Sequence, residues 1–319
     1  MPFVLQQTET LSAGISRTAQ EELGQIKSSW EVPELNIHLA IHETRKSLKR
    51  LRSLLLLLRH PLGKRRFHAQ NAMFRNTARS LSSIRDLAAM RDTLLALAEG
   101  SSDTGLKSLV TKLVKALDAQ IAERMQAPDG QPSMQELVQN QLPGWTEALG
   151  AWNLDSGAGF SLIRRDFRNT YTQGRRLFRR AAAHPESESL HRWRKQVKYL
   201  MHQLQLMSQA WPAIFVPLAE EFHQLSDLLG TEHDLANLHH ALTAEQLPLG
   251  KGKSAPVLLQ LIEARRHELR NEALLLGRRI FAYHPKGFVR QIRTAYQTWS
   301  KPVLPEPAPA AAEPEPAAV

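Results

Sequence analysis

The segment His42-Glu43-Thr44-Arg45-Lys46-Ser47-Leu48-Lys49 returns 149 positions later as His191-Arg192-Trp193-Arg194-Lys195-Gln196-Val197-Lys198. The His, the Arg and both Lys coincide. Some forty residues further along each copy, Leu81-Ser82-Ser83-Ile84-Arg85-Asp86-Leu87-Ala88 resembles Leu229-Gly230-Thr231-Glu232-His233-Asp234-Leu235-Ala236 at a shift of 148. Two separate matches at nearly one offset mark an internal duplication, and a duplicated chain is constrained to build two similar units that pack together. The halves run over about 9–150 and 160–300, each with a basic helix near its start, joined by a poorly matched middle.

The units are helical. Apolar residues recur at three- and four-residue spacing, and no stretch alternates with period two. This predicts an all-α chain with helices near 9–30, 34–60, 66–99, 104–126, 134–151 (kinked or split at Pro143-Gly144), 160–183, 188–209, 212–229, 231–245, 255–282 and 286–299. Loops are expected where turn-forming residues cluster, at Gly100–Asp103, Ala127–Gly130, Asp155–Gly157 and Pro248–Gly252. The Pro/Ala/Glu-rich tail, 302–319, has nothing with which to bury a core and is expected to be disordered, leaving 1–301 as the folded unit.

On a helix that advances about 100° per residue, Ile37, Ile41, Thr44, Leu48, Leu51, Leu55 and Leu58 form one stripe, the buried face of a bundle helix. His38, His42, Arg45, Lys49 and Arg52 form a row beside it, with Lys46 and Arg50 further round. The second copy repeats the wheel. Leu190, Trp193, Val197, Leu200, Leu204 and Met207 make the stripe, His191, Arg194, Lys198 and His202 the row, and Lys195 again lies further round. A row on the flank of a helix borders any groove shared with a neighbour, and long Lys and Arg stems can cover apolar surface while their heads project into it. Charge runs are usually solvated faces, yet neither row interleaves acids at the four-residue spacing that stabilises such a face. Like charges held in register twice call for a compensating anion.

A third basic segment shares a face through Arg164, Arg168, Tyr171, Arg175 and Arg179, with Arg176 adjacent, and Arg75 and Arg79 stand one turn apart. Arginine's planar fork suits phosphate oxygens in pairs, and lysine adds point charge. Histidine beside phosphate gains charge, but His42 and His191 equally suit a structural role at a helix crossing.

Composition agrees. The formal net charge of +10 becomes +13 once the tail's three acids, Glu306, Glu313 and Glu315, are set aside. Such a charge favours a polyanionic partner, whether nucleic acid, polyphosphate or an anionic surface. With no cysteine, disulfides, thiol catalysis and Cys-ligated metal are excluded. No secretory signal is visible at the start, and the longest apolar run, Leu54–Leu58, is far short of the roughly 20 residues that cross a bilayer. A cytoplasmic location away from membranes is the expectation.

The basic helices, Leu81-x-x-x-Arg85-Asp86, Tyr171-x-x-Gly174-Arg175-Arg176, His191-x-x-Arg194-Lys195-x-x-Lys198-Tyr199 and Leu229-Gly230-x-x-His233-Asp234 together resemble the CHAD family, named for histidines in an α-helical domain, over about residues 9–300. The resemblance implies two pseudo-twofold-related antiparallel helical bundles with a central basic cleft or pore. It implies non-catalytic binding of inorganic polyphosphate and association with polyphosphate granules and their proteins. The residues expected to contact polyphosphate are His42, Arg45, Lys46, Lys49, Arg50, Arg52, Arg75, Arg79, Arg85, Arg164, Arg168, Tyr171, Arg175, Arg176, Arg179, His191, Arg194, Lys195, Lys198, Tyr199 and His202. Some members carry an N-terminal triphosphate-tunnel domain; about eight residues precede the first helix, so that domain is expected to be absent.

Three other readings compete. His233-Asp234 suggests a metal-dependent phosphohydrolase of the HD type, but the first copy has Arg85 in place of that His, and a guanidinium does not ligate a cation. The pair His38/His42 lacks the Glu of a His-Glu-x-x-His site, so no metal and no cofactor are expected. A nucleic-acid-binding protein would be expected to offer base-edge readers or stacking aromatics; aromatics are only 6%, and Trp193 lies in the apolar stripe. A purely structural scaffold is the third.

Overall fold

The computed structural model describes residues 3–31, 36–125 and 132–301. The tail from Pro302 and the loop expected at Ala127–Gly130 lie outside the described residues. Among those described there are eleven α-helices and no strand: α1 (Leu11–Ser29), α2 (Ile37–Leu57), α3 (Lys64–Ser80), α4 (Ser82–Ala98), α5 (Thr104–Met125), α6 (Met134–Gly150), α7 (Ser161–Ala183), α8 (Ser187–Met207), α9 (Pro212–Thr243), α10 (Ser254–Ile280) and α11 (Pro285–Trp299).

Several starts are set by local chemistry. The side chains of Thr10 and Asn36 accept from the backbone N–H groups of Ala13 and Leu39 at the heads of α1 and α2. Ser133 and Glu136 form a reciprocal capping box on α6. Pro212 and Pro285 stand in the first turns of α9 and α11, where a missing N–H costs nothing.

Two boundaries differ from the periodicity. The helix predicted over 66–99 is two helices, broken at Leu81. Leu81 closes α3 through its N–H to the Thr77 carbonyl (3.2 Å), and the Ser82 hydroxyl donates back to the Arg79 carbonyl (2.7 Å), a local bond that competes with the helical ladder. Conversely, the helices predicted at 212–229 and 231–245 are one, because Gly230 stays in α9. α6 likewise runs through Pro143 without ending.

The contacts between the halves show their symmetry. α2 packs on α8, α4 on α9, and α5 on α10. Each pair joins an element to its own repeat counterpart, the signature of an isologous, twofold interface. The axis therefore passes between α2 and α8, the two basic helices. Their apolar stripes are buried as the wheel predicts: Leu48, Leu51 and Leu55 on α2 and Trp193, Val197 and Leu200 on α8 are at 0% exposure, while Ile37 is only partly covered. The Trp30 indole N–H donates to Thr44 Oγ1 (2.7 Å), holding α1 on α2. The N-terminal segment is fastened to α8 by Leu5 N–H to the Leu206 carbonyl (3.0 Å).

Candidate functional site

Because the stripes of α2 and α8 face the core, the rows beside them meet at the axis. Two cavities open there. One, of about 410 Å³, lies against α9 and is lined by His42, Lys46, Arg50, His202, His223, Asp227 and Asp234 among others. The second, of about 340 Å³, lies against α3 and α4 and is lined by Arg52, Arg75, Arg79, Asp86, His191, Lys195, Tyr199 and His233 among others. Arg45, Lys49, Arg85, Arg194 and Lys198 border both. They are the Asp227 cavity and the Arg75 cavity, respectively.

Four of the five shared cations, Arg45, Lys49, Arg194 and Lys198, are partly withdrawn from water with no ion-pair partner among the described residues. Burial, reinforced by Lys198, Arg45, Arg85 and Arg194, pushes the Lys49 ammonium down to about 6. Burial with Arg194 and Arg85 pushes Lys198 down to about 8, against the opposing pull of Asp227 and Asp234. Arg45 and Arg194 are lowered by burial too, though a guanidinium keeps its charge. Among the described residues, Arg194 Nε and His191 Nδ1 are buried without a hydrogen-bond partner. Buried polar groups are normally satisfied, and orphaned ones at a cleft point to a ligand or water. His191 stacks on His233 (ring centroids 4.3 Å apart), and burial followed by His233 lowers it to about 4, so it is neutral in the free protein.

Other cations have internal partners. Arg50 Nη1 reaches the buried Glu22 carboxylate at 2.8 Å, and Lys46 Nζ reaches Glu43 at 2.9 Å. Arg85 lies between Asp234 (3.5 Å) and Asp86 (3.6 Å). Arg45 donates to the Ala78 carbonyl, and Arg52 Nε to Asn71 Oδ1 (3.0 Å) while its guanidinium lies over the Tyr199 ring.

The family model of the CHAD domain matches residues 19–243. The chain belongs to the CHAD family. It is also similar to the crystal structure of the CHAD domain from the plant Ricinus communis, at 19% identity and a TM-score of 0.49, over 92% of this chain and 94% of that one. No curated protein matches it.

Not every residue expected to contact ligand lies at the CHAD cavities. Arg164, Arg168, Arg176 and Arg179 are exposed on α7 and line neither, and Arg175 Nε donates to the Phe281 carbonyl (3.1 Å). Tyr171 is a core residue at 0% exposure, stacked on Phe288 with its hydroxyl donating to the Ile280 carbonyl (2.9 Å); its shared face with the arginines is corrected by the packing of α7 on α11. His202 borders the Asp227 cavity but is buried, with Nδ1 3.1 Å from Gln205 Oε1, and burial holds it near 3, so it adds no charge at neutral pH.

The sequence reading also missed His223, Ser226, Asp227 and Gly230, all lining the Asp227 cavity. The offset that joins Leu81 to Leu229 also carries Arg75 to His223 and Arg79 to Asp227, so the repeat held the signal. Gly230 lets α9 approach α8: a Cβ there would stand 2.9 Å from Arg194 Nη2.

As for the HD reading, His233 lies 3.3 Å from Asn237 Nδ2, and Asp234 faces Arg85. Among the described residues, no three His, Cys, Asp or Glu side chains converge as a metal ion would require, and no helix is long and apolar enough to cross a membrane.

Proposed function

We propose that this CHAD domain binds inorganic polyphosphate without transforming it, in the cavities between α2 and α8, as a cytoplasmic protein that associates with polyphosphate granules. One observation carries the reading: Arg45, Lys49, Arg194 and Lys198 are gathered at the pseudo-twofold axis with no ion-pair partner among the described residues, at the expense of lysine protonation. A linear anion laid along α2 and α8 returns charge to Lys49 and Lys198. Displacing condensed counterions from the polymer adds an entropic gain. The exposed arginines of α7 then act at longer range, raising the local concentration of anion rather than touching it.

Polyphosphate is favoured over nucleic acid by what lines the cavities. Tyr199 is their one aromatic ring other than histidine among the described residues, and it already underlies Arg52. Bases would find no free Trp, Tyr or Phe ring to stack on there, whereas a polymer made only of phosphates needs none. The test is competition between long-chain polyphosphate, RNA and DNA of equal charge at two salt concentrations. Tighter binding of polyphosphate, falling steeply with salt, is the expected result. Equal or weaker binding than nucleic acid would overturn the assignment, and turnover of the bound polymer would overturn the non-catalytic part.

A further inference from the structure

The two cavities are repeat counterparts, yet their chemistry differs in one direction. Beyond the five shared residues, the Arg75 cavity is lined by four fixed cations, Arg52, Arg75, Arg79 and Lys195, against one acid, Asp86. None of the four has a carboxylate partner among the described residues. The Asp227 cavity has two fixed cations of its own, Lys46 and Arg50, each already paired, to Glu43 and Glu22. It also has two acids, Asp227 and Asp234. The replacements behind this are Arg75 by His223 and Arg79 by Asp227, and the new pair binds itself, His223 Nδ1 lying 2.8 Å from Asp227 Oδ2. Fields from exposed charges decay over about 8 Å at physiological salt, so each opening presents its own potential rather than the molecule's average.

We propose that the site is one-sided: a polyanion enters and leaves through the Arg75 cavity, and the Asp227–His223 pair closes the opposite opening to it. This rests on the polyanion-binding reading above and deepens it. The chain is captured by Arg75, Arg79, Arg52 and Lys195, and reaches inward as far as the five shared cations. It does not thread through, because the Asp227 cavity offers no surplus positive charge to draw it on. The twofold scaffold thus holds a ligand that breaks the twofold.

Two probes, long-chain polyphosphate and heparin, test this on the full chain. Arg75→Ala with Arg79→Ala, both exposed positions, should lower affinity by roughly tenfold or more and make the salt slope shallower by more than one. His223→Arg with Asp227→Arg, which gives the second opening its counterpart's charges, should raise affinity and steepen the slope. Because the chain has no cysteine, Ser82→Cys and Thr231→Cys place a single thiol at the Arg75 and Asp227 cavities respectively. Bound polymer should slow maleimide labelling of the first several-fold and leave the second unprotected. Equal protection at both positions, or no gain from the double arginine variant, overturns one-sidedness. If heparin shows the bias and polyphosphate does not bind, one-sidedness stands and the polyphosphate assignment falls. If neither binds, both fall.

Discussion

Arg194 Nη2 lies 2.9 Å from the point where a Cβ on Gly230 would stand, with Nε and Cζ at 3.4 Å. The guanidinium at the centre of the site thus rests on bare helical backbone. Glycine in a helix interior costs about 0.5–1 kcal/mol relative to alanine, so its place in the middle of α9 is explained by the close approach of Arg194 rather than by helix stability.

Gly230→Ala should therefore separate folding from binding. The helix gains propensity, and the nearest group in the way is the guanidinium end of the Arg194 side chain. Unfolding midpoints are expected to hold or rise, while polyphosphate affinity falls as Arg194 is displaced. Thermal unfolding and binding isotherms on the same variant check both; a stability loss with affinity intact would show Gly230 to be a packing residue only.

Lys49 and Lys198 make binding and stability respond to pH in opposite senses. With Lys49 lowered to about 6 and Lys198 to about 8, an approaching polyanion restores their charge, so binding near pH 7.5 should take up protons. Calorimetry in buffers of different ionisation enthalpy measures the uptake, and affinity should rise from pH 8 to 6. For the ligand-free protein the sign reverses. The unfolded lysine titrates near 10.4, so between about 6 and 10 the unfolded state holds more protons and these groups contribute rising stability with pH. Lys49→Met should flatten that slope, raise the melting temperature near pH 6 and weaken binding.

The legible parts of this molecule are those set by local periodicity and by the repeat. The stripes led by Leu48 and Trp193 and the helical class follow from spacing alone. That α2 and α8 are counterparts follows from His42 and His191 sharing one pattern; that they pack on each other is shown only by the fold. Less legible was anything decided by partners distant in sequence. Tyr171 has the same spacing as the arginines around it, and only the placement of α11 makes it core. Arg50 reads as one more cation in a basic run, until Glu22 arrives from α1. Gly230 resembles a helix break because its reason for being glycine is a side chain 36 positions away in sequence.

Tyr171→Phe tests the corrected role. The variant removes the hydroxyl that donates to the Ile280 carbonyl while keeping the ring on Phe288. A net loss of about 1 kcal/mol of stability is expected, read from denaturant unfolding, with polyphosphate affinity unchanged. A specific loss of affinity without destabilisation would return Tyr171 to the site.

Arg50 and Arg52 provide the sharpest contrast, since two residues of one helix turn have different tasks. Arg50 meets a Glu22 side chain only 3% exposed, whose second oxygen has no partner among the described residues. Removing the arginine leaves that carboxylate buried and uncompensated, a situation that typically costs about 3–5 kcal/mol. Arg52 is held by a single neutral hydrogen bond to Asn71 and by the Tyr199 ring, a contact worth about 0.5–1 kcal/mol at such a site. Arg50→Ala should therefore lower the unfolding midpoint strongly, with binding lost only as the fold is lost. The pair Arg50→Met with Glu22→Leu should recover stability. Arg52→Ala should leave the midpoint nearly in place and weaken polyphosphate binding directly, with a shallower salt slope. If the two single variants behave alike in urea titrations, the Glu22 contact is not what holds Arg50 in place.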